Sequence, residues 1–369
     1  MRGHLGRLAA IAAVAALAIA LGACGSSSSS SGSSSPGKVL RLGYVTTPTH
    51  PYGIAVAAFA KRVQEASGGK LTVTPLPNYQ GGDVPLLNDV SGGTVEMAAP
   101  STAIFDTRGV KVFQPLQAPF LITNYGLEKA VLDGDIGKSM LSSANGPAKL
   151  GLVGLGVLEG GLRKPLGRVK CLTSPGDFQG AKIRAPQSAV LSAGLKALGA
   201  EPTPLAVGDV FPALQNGTVD GMEANLGLIQ TNKYYEVAKC VTQDVNLWPF
   251  PAAVVINKSQ WDALSSQEQG WLRDAGAKLA DDSLAVFTNP APGAPNFAKL
   301  LCGEGLTFAF AGKANQAALA NAVKPAYTQL DKDPEVAAAI AKIQALKASS
   351  PPPAAAAPLP AGCTTKQAS

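Results

Sequence analysis

Strand-like and helix-like segments alternate along this chain in two separate runs. In the first run, residues 40–46 alternate apolar and polar side chains, as a half-buried strand does. A helical pattern follows and stops at Gly68–Gly69, and residues 70–77 alternate again. Two strands joined by such a helix lie parallel, with a right-handed crossover. The first run therefore predicts an α/β unit.

The second run repeats this alternation further along the chain. Residues 181–186, 201–206 and 218–225 predict strands separated by helices, and residues 237–246 predict a strand that crosses between lobes. Residues 258–287 predict one long helix, kinked at Gly270 or Gly276. Because the two runs are separated in sequence, we predict two α/β lobes. Ligands of open α/β sheets bind beyond the carboxyl ends of the strands, so a cleft is expected between the lobes.

The N-terminal residues 1–23 have the pattern of a secretory signal peptide. Two arginines precede an apolar run over residues 8–23, which is short for a membrane span of ~20 residues. The ending Leu-Gly-Ala-Cys resembles the lipobox of bacterial lipoproteins, which implies cleavage before Cys24 and lipidation of its thiol. Residues 24–37 then predict a flexible Ser-rich tether. The alternative is an ordinary signal peptide with a chance cysteine.

The other four cysteines predict disulfides, because an exported protein meets an oxidising environment. They are Cys171, Cys240, Cys302 and Cys363, and their separations fit no CxxC metal pattern. Four cysteines allow three pairings. We favour Cys171–Cys240 with Cys302–Cys363, since each pair would lie within one lobe or fasten the C-terminal tail.

Charge and composition restrict the ligand. The chain has 31 Lys and Arg against 25 Asp and Glu, with no basic run and few aromatic residues, so nucleic acid is not favoured. A mild positive balance fits a small anion.

The sequence lacks the usual catalytic motifs. Beyond the signal peptide His50 is the single histidine, and no GxSxG, GxxxxGK[ST] or GxGxxG pattern is present in a suitable context. Zinc would need more cysteine and histidine ligands than the chain offers. We therefore predict no enzyme, no catalytic residue, no metal and no cofactor. The rival is a secreted hydrolase or lyase that uses Ser101 or His50.

Arg184 lies at the carboxyl end of the strand predicted over 181–186. A guanidinium keeps its charge, and its planar fork matches a carboxylate through two parallel hydrogen bonds. At a strand end inside a cleft, Arg184 would orient an anionic ligand. The alternatives are a surface arginine or an intramolecular ion pair.

Several blocks within residues 38–285 resemble the extracytoplasmic solute-binding proteins of TRAP transporters, the DctP-type family. They include residues 177–186 (DFQGAKIRAP), 197–225 and 254–264, and their order is more specific than any single block. The resemblance implies a two-lobed, periplasmic-binding-protein-like α/β fold that closes on an organic anion, usually a carboxylate. It also implies partners, namely the small and large membrane subunits of a transporter driven by an ion gradient.

The resemblance also implies roles for individual residues. Arg184 matches the family's main carboxylate contact, and Arg163 matches a second arginine that often assists. His50, in the first strand-to-helix turn, is expected either as a minor contact or as a surface or helix-capping histidine. Trp248 either lines the cleft or covers a hinge, and we favour the cleft.

Three positions depart from the family pattern. Ala224 stands where many members have asparagine, and Asn225 either takes over that polar role or the contact is lost. Val207 replaces an aromatic residue, and Ser101 stands where some sialic-acid binders carry glutamate. These changes argue against a polyhydroxylated sugar acid and favour a smaller or less polar acid.

We expect an exported monomer that is lipid-anchored to the outer face of the bacterial cytoplasmic membrane. A receptor for an ABC-type importer or a sensor is an alternative, and so is a purely structural surface lipoprotein. The predicted segments are a signal peptide (1–23), a tether (24–37), a first lobe (mainly 38–160), a second lobe (mainly 161–245), hinge-crossing and returning segments (246–345), and a Pro/Ala-rich tail (346–369).

Overall fold

The computed structural model describes residues 37–290, 295–350 and 358–368. The predicted signal peptide, Cys24 and nearly all of the tether lie outside these described residues. From Gly37 onward the chain forms one compact unit. Within the described ranges, no helix combines the length and the apolar character needed to span a membrane.

Strands and helices alternate through most of the chain. The strands are β1 (Lys38–Gly43), β2 (Leu71–Leu76), β3 (Met97–Ala98), β4 (Leu152–Glu159), β5 (Lys164–Gly167), β6 (Lys182–Ala185), β7 (Glu201–Pro204), β8 (Gly221–Ala224), β9 (Cys240–Thr242), β10 (Pro251–Asn257), β11 (Thr307–Phe310) and β12 (Thr365–Gln367). The helices are α1 (Pro51–Ala66), α2 (Asp83–Gly92), α3 (Tyr125–Leu132), α4 (Asp135–Ser142), α5 (Pro175–Phe178), α6 (Ala189–Ala197), α7 (Val210–Gln215), α8 (Leu226–Thr231), α9 (Lys258–Asp262), α10 (Ser266–Gly276), α11 (Leu279–Thr288), α12 (Phe297–Gly303), α13 (Gly312–Ala322), α14 (Lys324–Leu330) and α15 (Pro334–Ser349).

The strands form two mixed sheets, one in each lobe. The first sheet has the order β2-β1-β3-β10-β4. In it, β1 pairs in parallel with both β2 and β3, whereas β10 pairs antiparallel with both β3 and β4. The second has the order β12-β11-β9-β5-β8-β6-β7, with β6 parallel to β7 and β8. Two mixed sheets with helices between their strands confirm the predicted two-lobed α/β fold.

Apolar clusters cover both faces of the first sheet. Along β10, Val254 and Ile256 belong to one cluster, whereas Ala253 and Val255 belong to the other. This alternation follows from the two-residue period of a strand. Because both faces are covered, every residue of β10 is buried.

Two of the segments that carry the chain between the lobes are hydrogen-bonded to each other. The first joins β4 to β5 and the second joins β9 to β10. Gly160 N donates to Phe250 O (3.0 Å), and Arg163 N donates to Trp248 O (2.8 Å). These paired segments form the hinge.

The prediction of a strand over residues 237–246 that crosses between the lobes is wrong. Only Cys240–Thr242 form a strand, and β9 stays within the second sheet. The strand ends where Asp244 accepts hydrogen bonds from Ala311 N (2.8 Å) and Gly312 N (2.9 Å). The crossing to the first lobe follows this turn.

The long helix predicted over 258–287 is also wrong, because the segment forms α9, α10 and α11. Ser265 and Glu268 make a capping box that starts α10 afresh. Gly276 ends α10 where the helix presses on β4, since a Cβ there would lie 2.3 Å from Leu155 O. The break beside Gly276 agrees with one of the predicted kinks.

The four described cysteines form the pairing that the sequence favoured. Cys171 is bonded to Cys240, and Cys302 to Cys363. The second disulfide lies beside β12, which pairs in parallel with β11 at the edge of the second sheet. The C-terminal end is thus attached to the second lobe.

Candidate functional site

Arg184 is a buried cation at the end of β6. Its side chain is 4% exposed, and its Nε and Nη2 both donate to Leu205 O, at 3.1 and 2.8 Å. Within the part of the chain that the structure describes, Nη1 makes no hydrogen bond. Burial lowers the pKa of Arg184, while Tyr234 and Asp83 raise it. The carbonyl therefore fixes the plane of the guanidinium and leaves one edge open.

Asp83 faces this arginine from the other lobe, and the sequence analysis missed it. It is the first residue of α2, and its Oδ1 accepts a hydrogen bond from Ser101 N at 2.8 Å. Burial raises the pKa of Asp83 to about 6, opposed by the Ser101 N–H and by the charges of Arg184 and Arg163. The QGGDV turn after β2 is the signal that could have revealed it.

The lobes meet beside Asp83. A Cβ on the preceding Gly82 would lie 3.7 Å from Ala206 Cβ and 3.9 Å from Val207 Cγ1. Val207 and Leu205 belong to the segment that follows β7 in the second lobe. The described conformation is therefore closed at this edge of the cleft.

Arg163 lies on the first crossing segment, and its charge is already paired. Its side chain is 1% exposed, its Nε forms an ion pair with Glu223 Oε2, and its Nη2 donates to Glu223 O at 2.6 Å. The guanidinium also stacks 4.5 Å above the Phe250 ring. Burial and the charge of Arg184 lower the pKa of Arg163. Among the described residues, Nη1 has neither a hydrogen-bond partner nor an ion-pair partner, whereas Nε has the Glu223 carboxylate as its ion-pair partner.

His50 and Asn225 each cap a helix and leave one buried donor unused. His50 Nδ1 accepts from Tyr52 N (3.2 Å), and Asn225 Oδ1 accepts from Leu228 N (2.7 Å). Burial lowers the pKa of His50 to about 3, the neighbouring Asn225 side chain opposes this shift, and the charge of Arg163 adds to it. The ring is therefore neutral with its proton on Nε2. His50 Nε2 and Asn225 Nδ2 have no hydrogen-bond partner in the described part of the chain. Together with Arg163 Nη1, they offer three donors to acceptor oxygens.

Ser101 and Trp248 both make hydrogen bonds within the protein. Ser101 Oγ accepts from Ala103 N (3.3 Å) and caps a short 3₁₀ helix, so the backbone of Ser101 serves the site rather than its hydroxyl. The Trp248 ring packs with the apolar core of the second lobe. Its Nε1 donates to Glu223 Oε2 (3.3 Å) and so helps to position the partner of Arg163.

The described residues contain no cluster of three or more histidine, cysteine or acidic side chains that could hold a metal ion. The site thus consists of two arginines, one cleft-facing carboxylate and a set of neutral donors.

Comparison with known proteins identifies the family of this chain. A family model described as bacterial extracellular solute-binding protein, family 7 matches residues 42–333. The C4-dicarboxylate-binding periplasmic protein DctP of Rhodobacter capsulatus is 35% identical over 244 residues, which cover 66% of this chain and 72% of that protein.

Solved structures show the same fold. The sugar acid binding protein of Advenella mimigardefordensis in complex with galactonate has a TM-score of 0.77 at 28% identity, covering 84% of this chain and 99% of that one. A TRAP periplasmic solute binding protein of Polaromonas sp. JS666 bound to D-erythronate has a TM-score of 0.76 at 27% identity, with the same coverage of 84% and 99%. These proteins are receptors and not enzymes. The chain belongs to the bacterial extracellular solute-binding proteins of family 7, the DctP-type receptors of TRAP transporters.

Proposed function

We propose that this protein captures a small organic acid between its lobes, with the ligand carboxylate on Arg184. One observation carries the proposal: the buried Arg184 guanidinium is held by a neutral carbonyl and has no carboxylate partner among the described residues. A buried cation is unfavourable until an anion pairs with it. The compounds named with the related receptors, galactonate, D-erythronate and C4-dicarboxylates, are all organic acids.

The other polar groups then have subordinate roles. Arg163 assists through Nη1 alone, because Glu223 occupies the rest of its guanidinium. Asn225 Nδ2 and His50 Nε2 donate to further oxygens of the ligand. His50 and Arg184 lie on different lobes, so the ligand binds the closed form better and shifts the population toward it by bending the hinge.

The biological setting follows from the family and from the N-terminal sequence. The closed receptor delivers its ligand to the membrane subunits of a TRAP transporter, as a monomer. The LGAC sequence at residues 21–24 supports an anchor at Cys24 on the outer face of the cytoplasmic membrane.

A thermal-shift and calorimetric screen against small organic acids tests this function. A ligand at a hundredfold its dissociation constant should stabilise the protein by about 2.7 kcal/mol. We expect Arg184→Ala to abolish the shift. Arg168→Ala is the matched control, because Arg168 also donates to a backbone carbonyl but lies away from the cleft. A shift that survives in Arg184→Ala would show that the carboxylate binds elsewhere.

A further inference from the structure

Arg184 and Asp83 lie on opposite lobes and influence each other's charge without touching. Each shifts the pKa of the other, yet no ion pair joins them among the described residues. Both are held in place from behind, Arg184 by Leu205 O and Asp83 by Ser101 N. The lobes also meet beside both groups, because a Cβ on Gly82, next to Asp83, would lie 3.7 Å from Ala206 Cβ, and Ala206 directly follows the Leu205 whose carbonyl holds Arg184. The two groups therefore flank the ligand from opposite sides, as a cation and an acceptor.

The charges around the cleft nearly cancel before any ligand enters. Glu223 neutralises Arg163, and the nearby His50 is neutral. Glu159 is bound to the hinge through Gly161 N and Phe250 N. Of the described groups that face each other across the cleft, one positive charge on Arg184 and one negative charge on Asp83 are left. A ligand carboxylate would neutralise Arg184, and Asp83 would then be the remaining charge in a closed cleft.

A second carboxylate at the far end of the ligand would meet Asp83 in a medium that screens charge poorly. Like charges brought together in this way strongly disfavour a partner. A hydroxyl group at the same place would donate a hydrogen bond to the Asp83 carboxylate, and such charge-assisted bonds are strong.

We infer that the ligand is a hydroxy monocarboxylate, whose carboxylate binds Arg184 and whose distal hydroxyl donates a hydrogen bond to Asp83. Dicarboxylates are excluded from the site. The inference rests on the proposed function and specifies its ligand class. Asp83 is thus the residue that sets specificity. The neutral donors His50 Nε2 and Asn225 Nδ2 serve the acceptor oxygens between the two ends of the ligand.

Calorimetry with matched pairs of acids tests this inference. The pairs are glycerate and tartronate, erythronate and meso-tartrate, and D-gluconate and D-glucarate, whose members differ only in a terminal CH₂OH or carboxylate. At about pH 8, Asp83 is ionised because its pKa is about 6. We expect at least one hydroxy acid to bind about 100-fold more tightly than its dicarboxylate partner. Asp83→Asn should reduce that ratio of affinities below about tenfold, mainly because the variant binds the dicarboxylate more tightly than wild type does.

The control is Asp89→Asn, because Asp89 is on the same helix and accepts from Tyr79 OH (2.8 Å) outside the cleft. It should keep the preference. If the wild type binds a dicarboxylate as tightly as its partner, and Arg184→Ala abolishes that binding, the inference is overturned while the proposed function stands. If no acid binds, both fail. Should Asp83→Asn not fold, the wild-type ratios alone decide.

Discussion

Arg163 and Arg184 are both almost completely buried, but their charges are balanced in different ways. Arg163 forms an ion pair with Glu223, which is itself fully buried. Arg184 has only the Leu205 carbonyl and faces Asp83 across the cleft. Because an unpaired buried charge is costly, the first arrangement is complete without a ligand and the second is not. Of two similar arginines, one is built into the hinge and the other is available for an anion.

The largest effect is expected when the complete pair is broken. Arg163→Met leaves the Glu223 carboxylate buried without its cation, and such a loss costs about 3–5 kcal/mol. Urea unfolding without ligand measures this change. The double variant Arg163→Met/Glu223→Leu should recover most of the loss, because it removes both charges together.

The control for this prediction is an exposed ion pair. Lys258 and Asp262 have side chains that are 59% and 54% exposed, so Asp262→Ala should change stability by less than about 1 kcal/mol. If Arg163→Met costs no more than Asp262→Ala, the Glu223 pair is not the structural element described above.

The same contrast explains what the sequence could reveal. The strand and helix periods are local, so the two-lobed α/β fold followed from them. Arg184 was found because its strand end and its family motif lie within a few residues. The pairing of Arg163 joins residues 60 positions apart, and no local pattern encodes it.

Asp83 and the divided helix were missed for the same physical reason. Asp83 matters only because closure brings the start of α2 against the segment after β7. Gly276 ends α10 only because the helix packs within reach of the Leu155 carbonyl. Both depend on distant parts of the chain that the sequence pattern does not place.

His50 shows a different solution, in which a buried group loses its charge. Its pKa is lowered to about 3, mainly by burial. A depressed histidine pKa gives stability that is present above the unfolded value of about 6.5 and is lost as pH falls toward the folded value. Between about pH 7 and pH 5 this loss should approach 2 kcal/mol. His50→Asn keeps a helix-capping oxygen and should flatten the curve.

Unfolding measured in urea across this pH range checks the prediction. A fully exposed histidine would give wild type and variant the same slope, and that outcome would contradict the burial described for His50.

Glu128 and Glu159 are buried carboxyl groups, and their contribution to stability changes with pH in the direction opposite to that of His50. Both are fully buried, and burial is the main cause that raises each pKa, while the charge of Glu159 raises that of Glu128 further. Raised carboxyl pKa values give stability that is full below about pH 4.3 and is lost as pH rises through the folded pKa. Glu128→Gln should therefore be more stable than wild type near pH 7, by about 1.4 kcal/mol per unit of the shift that is relieved.

This pair lies at the hinge, since Glu159 Oε1 accepts from Gly161 N (2.6 Å) and Phe250 N (2.9 Å) on the two crossing segments. Thermal unfolding from about pH 5 to pH 8 measures the difference. A variant that loses stability across this range as steeply as wild type would mean that Glu128 is ionised in the folded protein.

The smallest effect on stability is expected at Arg184. Arg184→Met removes hydrogen bonds to a single carbonyl, worth about 1 kcal/mol, but it also removes a buried cation that lacks a carboxylate partner. These two changes oppose each other, so urea unfolding without ligand should shift by less than about 1 kcal/mol. Ligand binding should nevertheless be lost.

Arg163→Met is the matched comparison, because it removes the same group from an equally buried position. If Arg184→Met destabilises the protein as much as Arg163→Met does, Arg184 is a structural residue and the cleft does not hold its anion there.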